Sequence, residues 1–332
     1  MRHIVGAIIF IMLLSVFAWG VLNVDRLLPA QASAQALPID QLFNLQFKVV
    51  AILFGLIMGL ILYGVVFFRR KPGDVTDGPH ITGNTPLEIT WTVIPFALVI
   101  GLSLIGSHLL GDTLRIDPQA LVINVTGQQW FWRFEYPEYG LTTDELYLPL
   151  NKQVLLKLSS TDVIHSFWVP EFRVKADAVP GIVNELRVTP TKLGEYSLIC
   201  SEICGRGHAF MKSEVKVVSE QDFQAWIAER QVVTDDPVAR GQKWVKQFGC
   251  LSCHSYDGSE NIGPTFKGLY GKQQKLEDGT TIQVDDTYLI ESIRYPGEDI
   301  VSGFSDIMPP DIAAGLTDEQ IQDIIAYMAS LK

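Results

Sequence analysis

Cys200-Ser-Glu-Ile-Cys204-Gly-Arg-Gly-His208-Ala-Phe-Met211 is the stretch that decides how the middle of this chain folds. Its two sulfurs, its imidazole and its thioether can all come from one loop joining two strands. Soft thiolate and thioether ligands together with imidazole suit copper. A hydrophobic β-sandwich can hold such a set nearly fixed while an electron passes. The missing ligand should be a second imidazole from another loop, and His165 in Asp162-Val-Ile-His165-Ser-Phe-Trp-Val-Pro170 is the candidate. Each piece has a plainer explanation. Cys-x-x-x-Cys outside the cytoplasm can be a disulfide, a single Met usually fills a core, and a His among apolar residues is usually a hydrogen-bonded core residue. A tight disulfide does not require His208 and Met211 at these offsets, so the combination points to a metal.

The flanking sequence fits a sandwich. From residue 120 to 218 it consists of short alternating runs rich in β-branched residues: Leu121–Thr126, Gln153–Leu158, Ile182–Val188, Tyr196–Ile199 and Ser213–Val218. Turn residues separate them at roughly regular spacing, which predicts an all-β sandwich or barrel.

The remaining two cysteines lie in Cys250-Leu-Ser-Cys253-His254, the attachment spacing of a c-type haem, with two thiols for thioether bonds and an axial imidazole. A redox dithiol or half a zinc site is the alternative. No second cysteine pair exists for zinc, and no βαβ pattern suggests a thioredoxin fold. Ala239–Phe248 reads as the helix leading into this motif, and Ser219–Arg230 as a short amphipathic helix with Phe223, Trp226 and Ile227 on one side. The polar stretch 231–237 between them reads as a linker. A methionine should be the sixth iron ligand, since His/Met ligation raises the potential of a cytochrome c. Met308, in Phe304-Ser-Asp-Ile-Met308-Pro-Pro310, is the candidate. Met328 competes, but it shares an apolar helix face with Ile321, Ile324, Ile325 and Leu331 behind a capping box at Thr317–Gln320, which predicts core packing.

The hydrophobic fraction of 48% is concentrated at the front, in residues 4–22, 43–68 and 89–110. Ile4–Leu22 is long for a signal peptide and just long enough to cross a bilayer. Ala32-Ser-Ala34 and Ala34-Gln-Ala36 downstream resemble cleavage sites, which tips the expectation slightly towards removal. Phe43–Phe68 is the clearest span. It ends at Arg69-Arg70-Lys71, and positive flanks mark the cytoplasmic side. Leu87–Leu110 must then return outward, leaving everything beyond it outside. At its start, Thr85 as N-cap, Pro86 and Glu88 read as a capping box. A carboxylate at the mouth of a membrane helix can also collect protons.

The net charge is −11, and residues 235–332 hold 8 Lys+Arg against 16 Asp+Glu, a balance of −8. Acidity of this kind excludes a nucleic-acid reader and favours an external donor with a basic docking face, attracted less strongly at high salt.

The Cys200–Met211 run, with His165 upstream and Trp130-Phe-Trp-Arg-Phe134 before it, resembles subunit II of cytochrome c oxidase over residues 40–220. The resemblance implies a two-helix membrane hairpin followed by a cupredoxin domain carrying the binuclear copper centre CuA. By position, Cys200 and Cys204 would bridge two coppers, His165 and His208 would each bind one, and Met211 and the Glu202 carbonyl would complete the set. It also implies the Glu202 side chain as ligand of a magnesium ion at the interface with subunit I. Trp130 matches the aromatic at which electrons arrive from a donor cytochrome, although a core tryptophan on a strand is the plainer reading. Glu88 matches the carboxylate at the mouth of the K proton channel, a role compatible with capping. Residues 237–332, through Gly263-Pro264-Thr-Phe-Lys-Gly-Leu-Tyr270 and the closing helix, resemble class I cytochrome c.

Together these imply the caa3 arrangement, with a signal peptide or extra membrane helix (1–36), a transmembrane α-helical hairpin (37–114), an all-β cupredoxin sandwich (115–218), a short helix and linker (219–236) and an all-α cytochrome c domain (237–332). Such a chain would deliver electrons through haem c and CuA to subunit I, where oxygen is reduced to water with proton translocation, in a prokaryotic plasma membrane alongside subunit III. It holds no site for oxygen chemistry of its own. The rival readings are the CuA subunit of a nitric oxide reductase and a copper carrier. A carrier needs exchangeable sites with few ligands, which six ligands and a covalent haem contradict.

Overall fold

The computed structural model describes residues 2–332 apart from 71, 79, 233, 311 and 314, so Lys71 of the basic cluster lies outside the described residues. The chain forms two compact units, Met1–Ile116 with Glu171–Arg173, and Asp117–Pro170 with Val174–Lys332.

In the first unit, α1 (Arg2–Val21), the single turn α2 (Val24–Leu27), α3 (Ala36–Phe67) and α4 (Thr85–Thr113) follow one another. All but α2 are long and apolar enough to cross a membrane. Helices α1 and α3 pack through the buried stripe Ala51, Gly55, Gly59 and Tyr63, one residue per turn of α3. A Cβ on Gly55 would lie 2.7 Å from the Ser15 nitrogen, and one on Gly59 3.0 Å from the Ile11 Cα. The backbones therefore touch, as small residues allow between membrane helices. His3 Nδ1 and the Tyr63 hydroxyl are 3.0 Å apart near one end of the pair. Residues 32–40 are bound to the 171–173 loop. The Ala32 N–H donates to the Glu171 carbonyl (2.9 Å), the Ser33 hydroxyl to the Phe172 carbonyl (2.9 Å), and Arg173 Nε to Asp40 (2.8 Å).

The cap of α4 sits one residue earlier than the sequence suggested. Asn84, not Thr85, is the N-cap. Its side chain accepts from the Leu87 N–H at 3.2 Å, and Glu88 Oε1 accepts from the Asn84 N–H at 3.1 Å. Asn is the better cap, and the one-residue shift puts Pro86 second in the helix, still within the first turn where a missing N–H costs nothing. No described residue of α4 is buried.

The second unit opens with ten strands: β1 (Leu121–Gln128), β2 (Phe131–Tyr136), β3 (Leu141–Thr143), β4 (Leu146–Pro149), β5 (Val154–Ser160), β6 (His165–Trp168), β7 (Lys175–Ala178), β8 (Asn184–Val188), β9 (Gly194–Cys200) and β10 (Lys212–Val218). They form two five-stranded sheets, ordered β3-β2-β1-β5-β8 and β4-β10-β9-β6-β7. Period-two burial drives the pairing: in β5, Val154, Leu156 and Leu158 are fully buried and their neighbours are not. Helix α5 (Glu220–Gln231) then lays Phe223, Trp226 and Ile227 on the sandwich, with Trp226 stacked on Tyr147 at 4.2 Å between centroids.

Next come α6 (Pro237–Gln247), a two-stranded hairpin of β11 (Gln273–Lys275) and β12 (Thr281–Gln283), α7 (Asp286–Arg294) and α8 (Asp318–Ser330). The hairpin is an addition to the all-α expectation. It turns at Asp278-Gly279, a dipeptide suited to tight reversals, with Gly279 at φ +90°. Helices α6 and α8 cross at Gly241, where a Cβ would lie 1.9 Å from the Asp323 carbonyl oxygen. At the same crossing, Arg240 donates to the buried Asp323 carboxylate through two nitrogens at 2.8 and 2.7 Å, and Trp244 donates at 3.2 Å.

Those hydrogen bonds, Arg240 foremost, hold the Asp323 carboxyl below its ordinary range. A pKa depressed by folding adds stability above the unfolded value of about 3.9, and that stability is lost as pH falls. Arg240→Ala should destabilise the domain at neutral pH, because it leaves the buried Asp323 carboxylate without its main partner. Thermal unfolding against pH checks this: the gap between variant and wild type should narrow below about pH 3.

Candidate metal centre and haem cavity

The loop between β9 and β10 starts and ends at adjacent points of one sheet, since the Cys200 N–H donates to the Met211 carbonyl at 3.1 Å. Cys200 and Met211 are thereby held side by side, with Cys204 and His208 folded back over them. His165 opens β6, whose Phe167 pairs with Cys200, so the second imidazole arrives from the neighbouring strand. Cys204 Sγ lies 3.8 Å from Cys200 Sγ, 3.6 Å from His208 Nδ1 and 3.8 Å from Met211 Sδ. Cys200 Sγ lies 3.9 Å from His165 Nδ1 and 3.2 Å from the Glu202 carbonyl oxygen. All six expected ligands thus converge. A sulfur separation of 3.8 Å is far from the roughly 2.05 Å of a disulfide, and both thiols are free.

Burial opposes ionisation of both thiols. Cys200 is nonetheless lowered to about 6, because His165 and the backbone around Glu202 and Ser166 favour its thiolate. Cys204 is pushed up to about 12 by burial and by the neighbouring Cys200 charge. Two buried thiolates at this separation are stable together only with cations between them, and soft sulfur with imidazole nitrogen fits copper.

Sequence reading missed Asp162. Its Oδ1 lies 2.8 Å from His165 Nε2, and its carboxylate also accepts from the N–H groups of Gln129 and Val163 at 2.6 Å. Occupying Nε2 leaves Nδ1 facing the sulfurs, and a carboxylate placed in this way fixes the tautomer and ring orientation of a metal-binding imidazole. Burial lowers the His165 pKa, but Asp162 and Cys200 outweigh it and hold it raised. Asp162→Asn should weaken copper retention about 10–100-fold in competition with a chelator while leaving the sandwich folded. Gly127 was missed too: a Cβ there would strike the His165 ring at 2.8 Å.

Trp130 is 8% exposed, and its ring covers Gly207, where a Cβ would lie 2.3 Å from Trp130 Cδ2. Its Nε1–H donates to the Cys204 carbonyl at 3.1 Å, as the Gln129 amide does at 2.6 Å. The Glu202 side chain is exposed, as are Ile203 and Phe210 of the same loop, at 83% and 58%. Glu88, at the start of α4, is no part of this cluster.

An apolar cavity in the C-terminal part is lined by Cys250, Cys253, His254, Met308, Met328 and, from the sandwich side, Trp130. His254 Nδ1 donates to the Pro264 carbonyl at 2.7 Å, and its ring stacks on Phe266 at 4.8 Å. Burial holds His254 below its ordinary pKa, so the neutral imidazole keeps Nε2 available as a ligand. Burial also pushes Cys250 up to about 12 and raises Cys253. Met308 is half-buried, whereas Met328 is 4% exposed and packed with Ile321 and Ile324. The donor set and the apolar wall fit a covalent haem.

Membrane-crossing helices, a soft-ligand loop on a β-sandwich and a haem-type cavity define a membrane-anchored electron-transfer protein. Cytochrome c oxidase subunit 2 of Thermostichus vulcanus is 34% identical over 64% of this chain and 81% of the relative, and that of Alkalihalophilus pseudofirmus is 30% identical over 86% of each. The chain belongs to the cytochrome c oxidase subunit 2 family, and electrons enter the oxidase through it. Family models for the subunit II transmembrane domain, the subunit II periplasmic domain and cytochrome c match residues 18–108, 141–218 and 238–332. The crystal structure of the periplasmic domain of subunit II from Bradyrhizobium japonicum is 34% identical, covers 35% of this chain and 97% of that chain, and gives a TM-score of 0.33.

Proposed function

We propose that this chain receives electrons at a haem c and relays them through a binuclear copper pair to the oxygen-reducing subunit I of a caa3-type oxidase. The observation that carries the reading is the convergence of the donor atoms of His165, Cys200, Glu202, Cys204, His208 and Met211 around two unbonded sulfurs. When bound, the coppers and the haem each supply one-electron storage with no bond made or broken. Cys200, Cys204, His165 and His208, with Met211 and the Glu202 carbonyl, would hold the coppers, and Asp162 would keep His165 from rotating. Cys250 and Cys253 would fix the porphyrin, His254 and Met308 would ligate its iron, and the apolar wall would exclude water. Trp130 would connect the two sites, since it lines the cavity and hydrogen-bonds the Cys204 carbonyl.

The exposed Ile203 and Phe210, in the same loop as Glu202, suit burial against subunit I, with the Glu202 carboxylate sharing a magnesium ion there. Glu88, free of protein cover at the start of α4, would collect protons for subunit I. Subunit III, membrane lipid and a donor with a basic face are the remaining partners, and the chain sits in the plasma membrane of a prokaryote. Oxygen uptake by the complex purified through this chain tests the reading; turnover with nitric oxide and none with oxygen would contradict it.

The front of the chain reads as three spans, with α1 retained. Its support is the backbone contact at Gly55 and Gly59 and the complete burial of Ala32, Ser33 and Ala36, around the cleavage-like residues. Mass spectrometry of the mature chain should find the N-terminal peptide before Arg26; a new terminus between 33 and 37 would exclude retention.

A further inference from the structure

Alternation along β2 turns Trp132, Phe134 and Tyr136 into the sandwich and sends Phe131, Arg133 and Glu135 outward. An outward phenylalanine should be wet, yet Phe131 is 3% exposed. Its cover is the turn that carries the first haem cysteine. Gly249 approaches so closely that a Cβ there would lie 2.3 Å from Phe131 Cγ, and its φ of +69° independently favours glycine. Beside it, Phe248 is 5% exposed. The Arg133 guanidinium serves both rings, with Cζ 5.7 Å from the Phe131 centroid and 5.1 Å from that of Phe248. Its Nε is buried without a hydrogen-bond partner among the described residues. Contacts between a guanidinium and π faces strengthen as water is excluded.

We propose that Arg133 is a positioning residue for electron transfer between the two centres. It clamps Phe131 of the sandwich to Phe248 of the cytochrome part, and so fixes the Gly249-Cys250 turn beside Trp130 and the copper loop. The inference rests on the proposed function for the identity of the centres. With both groups bound, a single electron would pass from the site held by Cys250, Cys253 and His254 to the site held by Cys200 and Cys204, the one losing what the other gains, with no proton moved and no bond changed. Arg133 touches neither centre. It acts through separation and orientation, on which electron tunnelling depends steeply.

The test uses the purified oxidase complex, with the haem reduced by a flash-excited ruthenium photoreductant and both centres followed by absorbance. Arg133→Gln keeps a polar chain without the cation, and Arg133→Met fills the same space with an apolar one. Both should slow haem-to-copper transfer about tenfold or more, with haem spectrum, copper signal and onward transfer from copper unchanged; a purely structural residue would alter stability and not this one rate. Wild-type rates in either variant, with both centres intact, would overturn the clamp. Wild-type complex lacking the copper pair or the haem would overturn the proposed function itself, and the spectra recorded before the flash distinguish the two failures.

Discussion

Replacing Cys204 by serine should abolish the proposed copper pair as a unit and lower oxygen consumption by the assembled complex on the order of 100-fold or more. Cys204 is the hub of the centre: its sulfur is within 3.8 Å of Cys200 Sγ, His208 Nδ1 and Met211 Sδ. Serine is close in size and leaves the strands β9 and β10 undisturbed, so the sandwich should fold. Its oxygen, however, is a hard ligand that stays protonated at neutral pH and cannot bridge two soft ions. The haem should remain reducible by the donor, because Cys250, Cys253 and His254 lie outside the copper loop. Copper analysis, the haem spectrum and oxygen uptake on one preparation check all three statements. Retention of a copper pair in Cys204→Ser would show that the bridging sulfurs lie elsewhere.

The second large effect concerns the two methionines of the haem cavity. Met308→Ala should leave the haem attached but lower its midpoint potential on the order of 0.1 V, because it removes the proposed thioether ligand, which stabilises ferrous iron. Met328→Ala should leave the potential nearly unchanged and cost about 2–5 kcal/mol of stability, as expected for truncating a buried side chain. The contrast follows from environment. Met328 is 4% exposed on α8 among Ile321, Ile324 and Ile325, whereas Met308 sits in the half-buried loop before Pro309. A redox titration paired with thermal unfolding reads both outcomes, and exchanged phenotypes would reverse the assignment.

Patterns set by local spacing were legible in the sequence. The Cys200–Met211 loop, the Cys250–His254 motif, the five runs that became β1, β5, β8, β9 and β10 and the Thr317 capping box all depend on residues close along the chain, and each falls within a residue or two of where the spacing put it; β2, of six residues, was not read as a strand. The Asp162 contact was not legible, because an acid near a histidine has many possible orientations and only the turn before β6 makes this one. Nor could alternation alone explain Phe131, an outward residue that is buried because a distant glycine covers it. The cap of α4 moved from Thr85 to Asn84 because two adjacent residues could both cap and the better acceptor prevailed. Trp130 was read as either a core tryptophan or a docking aromatic. It lies in the turn between β1 and β2, where its ring covers Gly207 and it lines the haem cavity.

The central claim is that one chain carries a copper pair and a haem c in electrical sequence. Metal analysis with electron paramagnetic resonance on the intact, oxidised complex tests it most directly, after the copper in subunit I is accounted for. The account predicts two coppers for each covalent haem in this chain, with one unpaired electron shared equally between them. A single localised copper signal, or no copper with Cys200 and Cys204 joined as a disulfide, would contradict it.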